Sequence, residues 1–314
     1  MSATPTRAAI ASVSVALLLG ALKAYAAWST GSIAMLASLA DSLLDLVASL
    51  VTLAGVRIAA QPADHAHRFG HGKAEALAAL FQIALISISA TFIAVRAGER
   101  LIAGEVSADA EAGVIVSLIA IVATLALTAY QQRAIAASGS LAIRTDRLHY
   151  QSDLFLNAGV IAALVAEQYL RLRGADPLFG IAIALWLLYG AWHAASEALH
   201  QLMDREWPEE KRRAFVETAA RQPGLENLHD LRTRTSGTQD FAQFHISMPG
   251  QMTVAAAHHI VEALERRLAD AFPGTDVLIH VDPVGHVDEP GDALREADEI
   301  AALTEDPPGG AAPG

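Results

Sequence analysis

Ser38-Leu39-Ala40-Asp41-Ser42-Leu43-Leu44-Asp45-Leu46 places two carboxylates four residues apart inside a long apolar segment. A second stretch, His149-Tyr150-Gln151-Ser152-Asp153, spaces an imidazole and a carboxylate the same way. On an α-helix, residues i and i+4 share a face with Cβ atoms roughly 6 Å apart. Two such helices packed side by side bring three carboxylates and one imidazole to a common point, a four-ligand cage for a divalent cation. A carboxylate at bilayer depth costs about 2.5–3.5 kcal/mol, so three cost roughly 8–10 kcal/mol if the costs add. The plainer reading makes Asp41 and Asp45 a polar pair that glues helices together, but helix glue is usually Ser, Thr, Asn or Gln. A pathway for a cation accounts better for the expense.

The rest of the chain agrees with a membrane protein carrying a water-soluble appendage. Of 314 residues, 53% are hydrophobic, and the mean hydropathy is +0.34. There is no cysteine, so thiolate metal sites and disulfides are excluded and any metal must be held by His, Asp and Glu. The net charge of -12 is uneven: residues 1–206 hold 13 basic and 15 acidic side chains, and residues 207–314 hold 9 and 19. An acidic second half argues against nucleic acid and against an anionic-lipid patch. The apolar run behind Arg7 reads as a retained first span, not a cleaved signal.

Six stretches reach spanning length of about 20 residues: 8–28, 32–58, 74–96, 112–130, 143–170 and 177–199. With the N-terminus inside, the inner loops hold Arg57, Arg68, Lys73, Arg133, Arg144 and Arg147, and the outer loops hold Arg96, Arg100, Arg171 and Arg173. That excess of positive charge predicts both termini in the cytoplasm. The connection Asp64-His65-Ala66-His67-Arg68-Phe69-Gly70-His71-Gly72-Lys73 is a candidate surface metal site through Asp64, His67 and His71. Its alternative is an inert polar loop at the membrane edge.

Trp207-Pro208 marks a boundary, with a six-span domain over 1–206 and a soluble domain over 207–286. Residues 209–221 read as an amphipathic helix, 225–235 and 240–248 as a hairpin around Ser236-Gly237-Thr238-Gln239, and 276–282 as a third strand. Residues 254–272 show helical spacing through Val254, Val261, Leu264 and Leu268. The order αββαβ predicts a two-layer α/β domain. His280 and Asp282 share a strand face, and His229, His245, His258 and His259 lie on neighbouring elements. This concentration predicts at least one metal site. The acidic and then Pro/Gly/Ala-rich residues 287–314 read as a disordered tail.

Taken together, Asp41-xxx-Asp45, His149-xxx-Asp153, six spans, Phe69-Gly70-His71-Gly72-Lys73-Ala74-Glu75 and an αββαβ tail resemble the cation diffusion facilitator family, in its bacterial zinc/ferrous-iron efflux type. The resemblance covers roughly residues 8–286. It implies a multi-pass protein of the inner (plasma) membrane, with a six-helix all-α transmembrane domain and a ferredoxin- or metallochaperone-like cytoplasmic domain that dimerises. It further implies that Asp41, Asp45, His149 and Asp153 form the transport site, and Asp64, His67 and His71 a second site. His229, His245, His258, His280 and Asp282 would form a binuclear site in the tail, and Lys73 with Asp204 a charge interlock at the hinge of a homodimer. His65 and His259 have no clear counterpart in that family.

The expected activity is export of a dication in exchange for protons, because metal and proton compete for the same lone pairs. No GxxxxGK[ST] phosphate loop is present, so ATP is not expected to drive it. His with carboxylates favours Zn²⁺ as cargo and as structural ion, with Fe²⁺, Cd²⁺ or Co²⁺ as alternatives; His149 argues against a site dedicated to Mn²⁺ or Mg²⁺. Two other classes compete. A membrane metalloenzyme needs an open coordination position and a general base, and no HExxH occurs. A membrane-anchored metal sensor or scaffold leaves Asp41 and Asp153 without purpose.

Overall fold

The computed structural model describes residues 3–30, 33–103, 114–170, 175–225, 227–285 and 298–303. The chain divides into two compact units, Met1–Leu202 and Met203–Gly314. In the first, the described helices are α1 (Ala3–Thr30), α2 (Ile33–Ala59), α3 (Ala74–Ala103), α4 (Val114–Ser138), α5 (Leu141–Leu170) and α6 (Ala175–Leu202). Among the described residues, five helical segments are long and apolar enough to cross a membrane: Thr4–Ser29, Ser38–Ala59, Ala74–Ala103, Leu118–Ser138 and Pro177–Leu202.

α5 carries Arg144, Asp146, Arg147, His149 and Asp153 in its first half. Its place in the bundle explains how it tolerates them. With 30 residues it is about 45 Å long, and it packs on every one of α1, α2, α3, α4 and α6. Asp146 is fully buried, His149 and Asp153 are partly buried, and Arg144 pairs with Glu197 of α6. Arg96 and Arg100, expected in an outer loop, lie within α3, which runs on to Ala103. Arg171 and Arg173 lie outside the described residues.

Small side chains let the helices approach. Ala8, Ala9, Ala134 and Ala142 are buried with Val56 and Ile143 in one cluster. At Gly55 an added Cβ would stand 2.4 Å from Ala78 Cβ, so only glycine lets α2 and α3 come this close. Gly139, at φ 67°, turns the chain from α4 straight into α5, and its N–H closes on Ile135 O at 2.7 Å.

The second unit is built from α7 (Glu209–Ala220), β1 (Leu228–Ser236), β2 (Gln239–Met248), α8 (Val254–Ala271), β3 (Thr275–Pro283) and α9 (Glu299–Ala302). The sheet order is β1-β2-β3, with β1 antiparallel and β3 parallel to β2. α8 supplies the crossover that a parallel pair needs. Trp207, Phe215 and Phe244 meet edge to face at 5.6 and 5.7 Å in a core that includes Leu228, Ile246, Leu264 and Leu268.

Two expectations fail in this unit. Val254 is not on the buried stripe of α8: it is the helix's first residue and 88% exposed. The tail is not wholly without structure either. Residues 286–297 and 304–314 lie outside the description, but Asp298 caps a helical turn by accepting from Ile300 N at 3.0 Å. Ile300 and Leu303 pack on the core, and Glu299 pairs with Arg212 at 2.8 Å. Two apolar side chains and a cap are enough to anchor an otherwise acidic segment.

Candidate metal sites

The i, i+4 pairs of α2 and α5 face each other inside the first unit. His149 Nε2 lies 3.0 Å from Asp45 Oδ1, and ligand atoms of Asp45, His149 and Asp153 all fall within 4.8 Å of one another. Asp41 is one turn away, outside that trio, and lines the same cavity of about 180 Å³ together with Lys23, Ser38, Ser42, Thr124 and Tyr150. The cavity takes carboxylates from Asp41, Asp45 and Asp153, and the His149 imidazole stands against Asp45. Such a set binds a borderline dication such as Zn²⁺ well.

One turn before His149, the carboxyl group of Asp146 is fully buried. It accepts from Ser12 Oγ of α1 at 2.5 Å, Gln82 Nε2 of α3 at 2.9 Å and Gln131 Nε2 of α4 at 2.7 Å. Gln82 in turn accepts from Thr52 of α2 at 2.8 Å, and Tyr150 OH lies 2.9 Å from Ser49 Oγ and donates to Ser12 O. Glu75, 2% exposed, takes a bond from Ser140 Oγ at 2.6 Å and ties the start of α3 to the start of α5. These bonds fix the helix that presents His149 and Asp153.

In the loop between α2 and α3, Asp64 Oδ1 accepts from His67 N at 2.6 Å and Ala66 N at 2.8 Å. Those two N–H groups, His67's foremost, hold its carboxyl below the usual carboxylate range, so it stays an ionised ligand. His67 Nδ1 lies 3.4 Å and His71 Nε2 3.5 Å from its two oxygens. His71 Nδ1 is buried with no hydrogen-bond partner among the described residues. Asp64, His67 and His71 therefore converge as a ligand set.

On the sheet, His229 pairs with His245 across β1 and β2, and His245 with His280 across β2 and β3. Asp282, 7% exposed, divides its oxygens between them. Oδ2 faces His245 Nδ1 at 2.9 Å and His229 Nε2 at 3.5 Å, while Oδ1 faces His280 Nε2 at 3.2 Å. His258 stands apart on α8, lining a cavity with Asp282 and Val281. Asp230, which the sequence reading passed over, sits at φ 48° in the irregularity between His229 and Arg232, with Oδ2 3.8 Å from His245 Nε2.

Both units match families of cation-efflux proteins. The family model described as cation efflux transmembrane domain matches residues 9–203, and that of the cation efflux protein cytoplasmic domain matches residues 207–284. The cation-efflux pump FieF of Cronobacter sakazakii is 44% identical over 278 residues, 88% of this chain and 92% of its own length. That of Escherichia coli O127:H6 is 42% identical over 286 residues, 91% of this chain and 95% of its own. The chain is a cation diffusion facilitator. Among solved structures, a zinc form of CzrB, a putative zinc transporter, is 40% identical, covers 27% of this chain and 99% of its own, and has a TM-score of 0.24.

As a member of that family the chain is a multi-pass membrane transporter of divalent cations and not an enzyme. Of the residues singled out in the sequence, three of four meet in the bundle, all three meet in the loop, and four of five surround one another on the sheet. Lys73 Nζ donates to Leu202 O at 3.1 Å, and Asp204, at φ 55°, pairs with Arg234 at 3.5 Å.

Proposed function

We propose that this protein exports Zn²⁺ from the cytoplasm by exchanging it for protons, with Asp41, Asp45, His149 and Asp153 as the transport site and both termini cytoplasmic. The carrying observation is the convergence of Asp45, His149 and Asp153 within 4.8 Å on two helices that also line a polar cavity. A cage of four N and O ligands is normally a permanent site. Protons offer the means of release, because they take the lone pairs that hold the metal. Alternating access then follows if the loaded and protonated states favour opposite-facing arrangements of α2 and α5. Fe²⁺, Cd²⁺ and Co²⁺ suit the same donors and are secondary cargoes.

In proteoliposomes an imposed pH gradient, with no metal gradient, is expected to drive Zn²⁺ accumulation on the acidic side. Flux indifferent to the pH gradient would end the antiport reading. Competition by Fe²⁺, Cd²⁺ and Co²⁺ in the same assay ranks the cargoes.

For the second unit we propose a regulatory or structural pair of Zn²⁺ ions that stabilises a homodimer. The donor chemistry fits: three histidines and one carboxylate present two groups of nitrogen on the two oxygens of Asp282. Asp282 would bridge the ions, with His229 and His245 on one side and His280 with His258 on the other. Val254 and Val281 leave exposed apolar surface by His258, as a dimer contact does. Asp64, His67 and His71 are assigned to a further Zn²⁺ site, and Lys73 with Asp204 to the hinge. Chelation is expected to lower the thermal midpoint of the full-length protein and to shift it toward monomer. Asp282→Ala should remove both responses to chelator; a variant that still responds in full would clear Asp282 of the bridging role.

A further inference from the structure

Lys23 lies inside the first span, Thr4–Ser29. An ammonium at that depth costs about as much as a carboxylate, and the usual remedy is for the side chain to snorkel to the interface. Lys23 turns into the bundle instead. Its Nζ donates to Ser42 Oγ of α2 at 2.7 Å, and Ser42 is itself buried. It lines the cavity that holds Asp41, Asp45 and Asp153.

We propose that Lys23 is a built-in counter-ion of the transport cavity, a specificity-determining residue that keeps the site matched to a dication and able to let it go. The inference rests on the transport-site assignment above. Three ionised carboxylates and a neutral imidazole carry −3, which a dication brings only to −1. With the fixed ammonium beside them the cavity carries −2, and a bound dication makes it neutral. A monovalent ion leaves it short by one charge and a trivalent ion overshoots by one, so the same count discriminates among cations. In surroundings of low dielectric, an uncancelled charge strengthens the hold on metal and slows release. After the metal leaves, the ammonium on its flexible stem is a cation already beside the bared carboxylates, and it offsets part of the cost of leaving them unpaired.

The test uses the full chain in proteoliposomes, with Lys23→Gln, Lys23→Met, Lys23→Arg and Asp45→Ala compared for the KM and kcat of Zn²⁺ flux. Lys23→Gln removes the charge and keeps a donor for Ser42. It should lower KM about tenfold and kcat by a similar factor, and Lys23→Met should match it. Lys23→Arg, which retains the charge, should stay near the parent protein. A merely structural lysine does not lower KM when it is removed. Unchanged KM and kcat in Lys23→Gln, a raised KM, or an Arg variant as impaired as the Gln variant would each overturn the inference. Persistent flux in Asp45→Ala would instead overturn the transport-site assignment beneath it.

Discussion

Asp45→Ala is expected to reduce Zn²⁺ flux to the passive leak of the liposomes while leaving the protein folded. Asp45 is the residue that His149 touches, at 3.0 Å, and it belongs to the trio within 4.8 Å. If a dication site worth roughly 12 kcal/mol is shared among four ligands, each supplies about 3 kcal/mol. Losing that much weakens binding by a factor of roughly 150. The ligand lost also carries one of the charges that draws the ion into a low-dielectric cavity, so the true factor lies above this. Folding should survive, because Asp45 is not part of the hydrogen-bonded hub one turn away on α5, and Ala is a better helix former than Asp. Elution volume in detergent and helical circular dichroism check the fold. Undiminished flux in a correctly folded variant would remove α2 from the cation's path.

The parts of this molecule that a linear reading recovers are those whose signal is a spacing. Asp41/Asp45 and His149/Asp153 show themselves because four residues is the distance that places two side chains on one helical face. His280 and Asp282 show themselves because two residues does the same on a strand. What stays hidden is any arrangement assembled from single residues on separate helices. Ser12, Thr52, Gln82, Gln131 and Asp146 have no common period, and only packing reveals them as one network. Lys23 reads as a stray positive charge until its bond to Ser42 is seen.

At the C-terminus, Asp298, Ile300 and Leu303 carry a cap and an i, i+3 apolar pair, but the acidic surroundings mask so short a signal. Val254 errs in the opposite direction: its place at the first turn of α8 lets it match the apolar period while pointing away from the core.

Asp146→Ala should be the most destabilising of the substitutions considered in the membrane unit. Direct hydrogen bonds between membrane helices average only about 0.6 kcal/mol, so three of them account for about 2 kcal/mol at most. The larger cost lies in what remains. Ser12 can still donate to Ala8 O and Gln131 to Ser12 Oγ, but the buried Gln82 amide loses its acceptor on Asp146, and a buried donor left unsatisfied costs about 1–3 kcal/mol. Together these put the loss at roughly 3–5 kcal/mol.

For a unit of this size such a loss lowers the thermal midpoint by about 10 °C or more. Asp146→Asn separates satisfaction from charge. Its oxygen still accepts from Gln82, and the Ser12 hydroxyl can turn to accept from the new amide, so it should lose less than half as much. Equal midpoints for Asp146→Ala and the parent would show that the network is not what holds α1, α3 and α4 against α5. Asp146→Asn as unstable as Asp146→Ala would show that the ionised group, not its hydrogen bonds, sets the stability. The outcome bears on transport as well, since the same turn of α5 that is pinned by Asp146 presents His149 to Asp45.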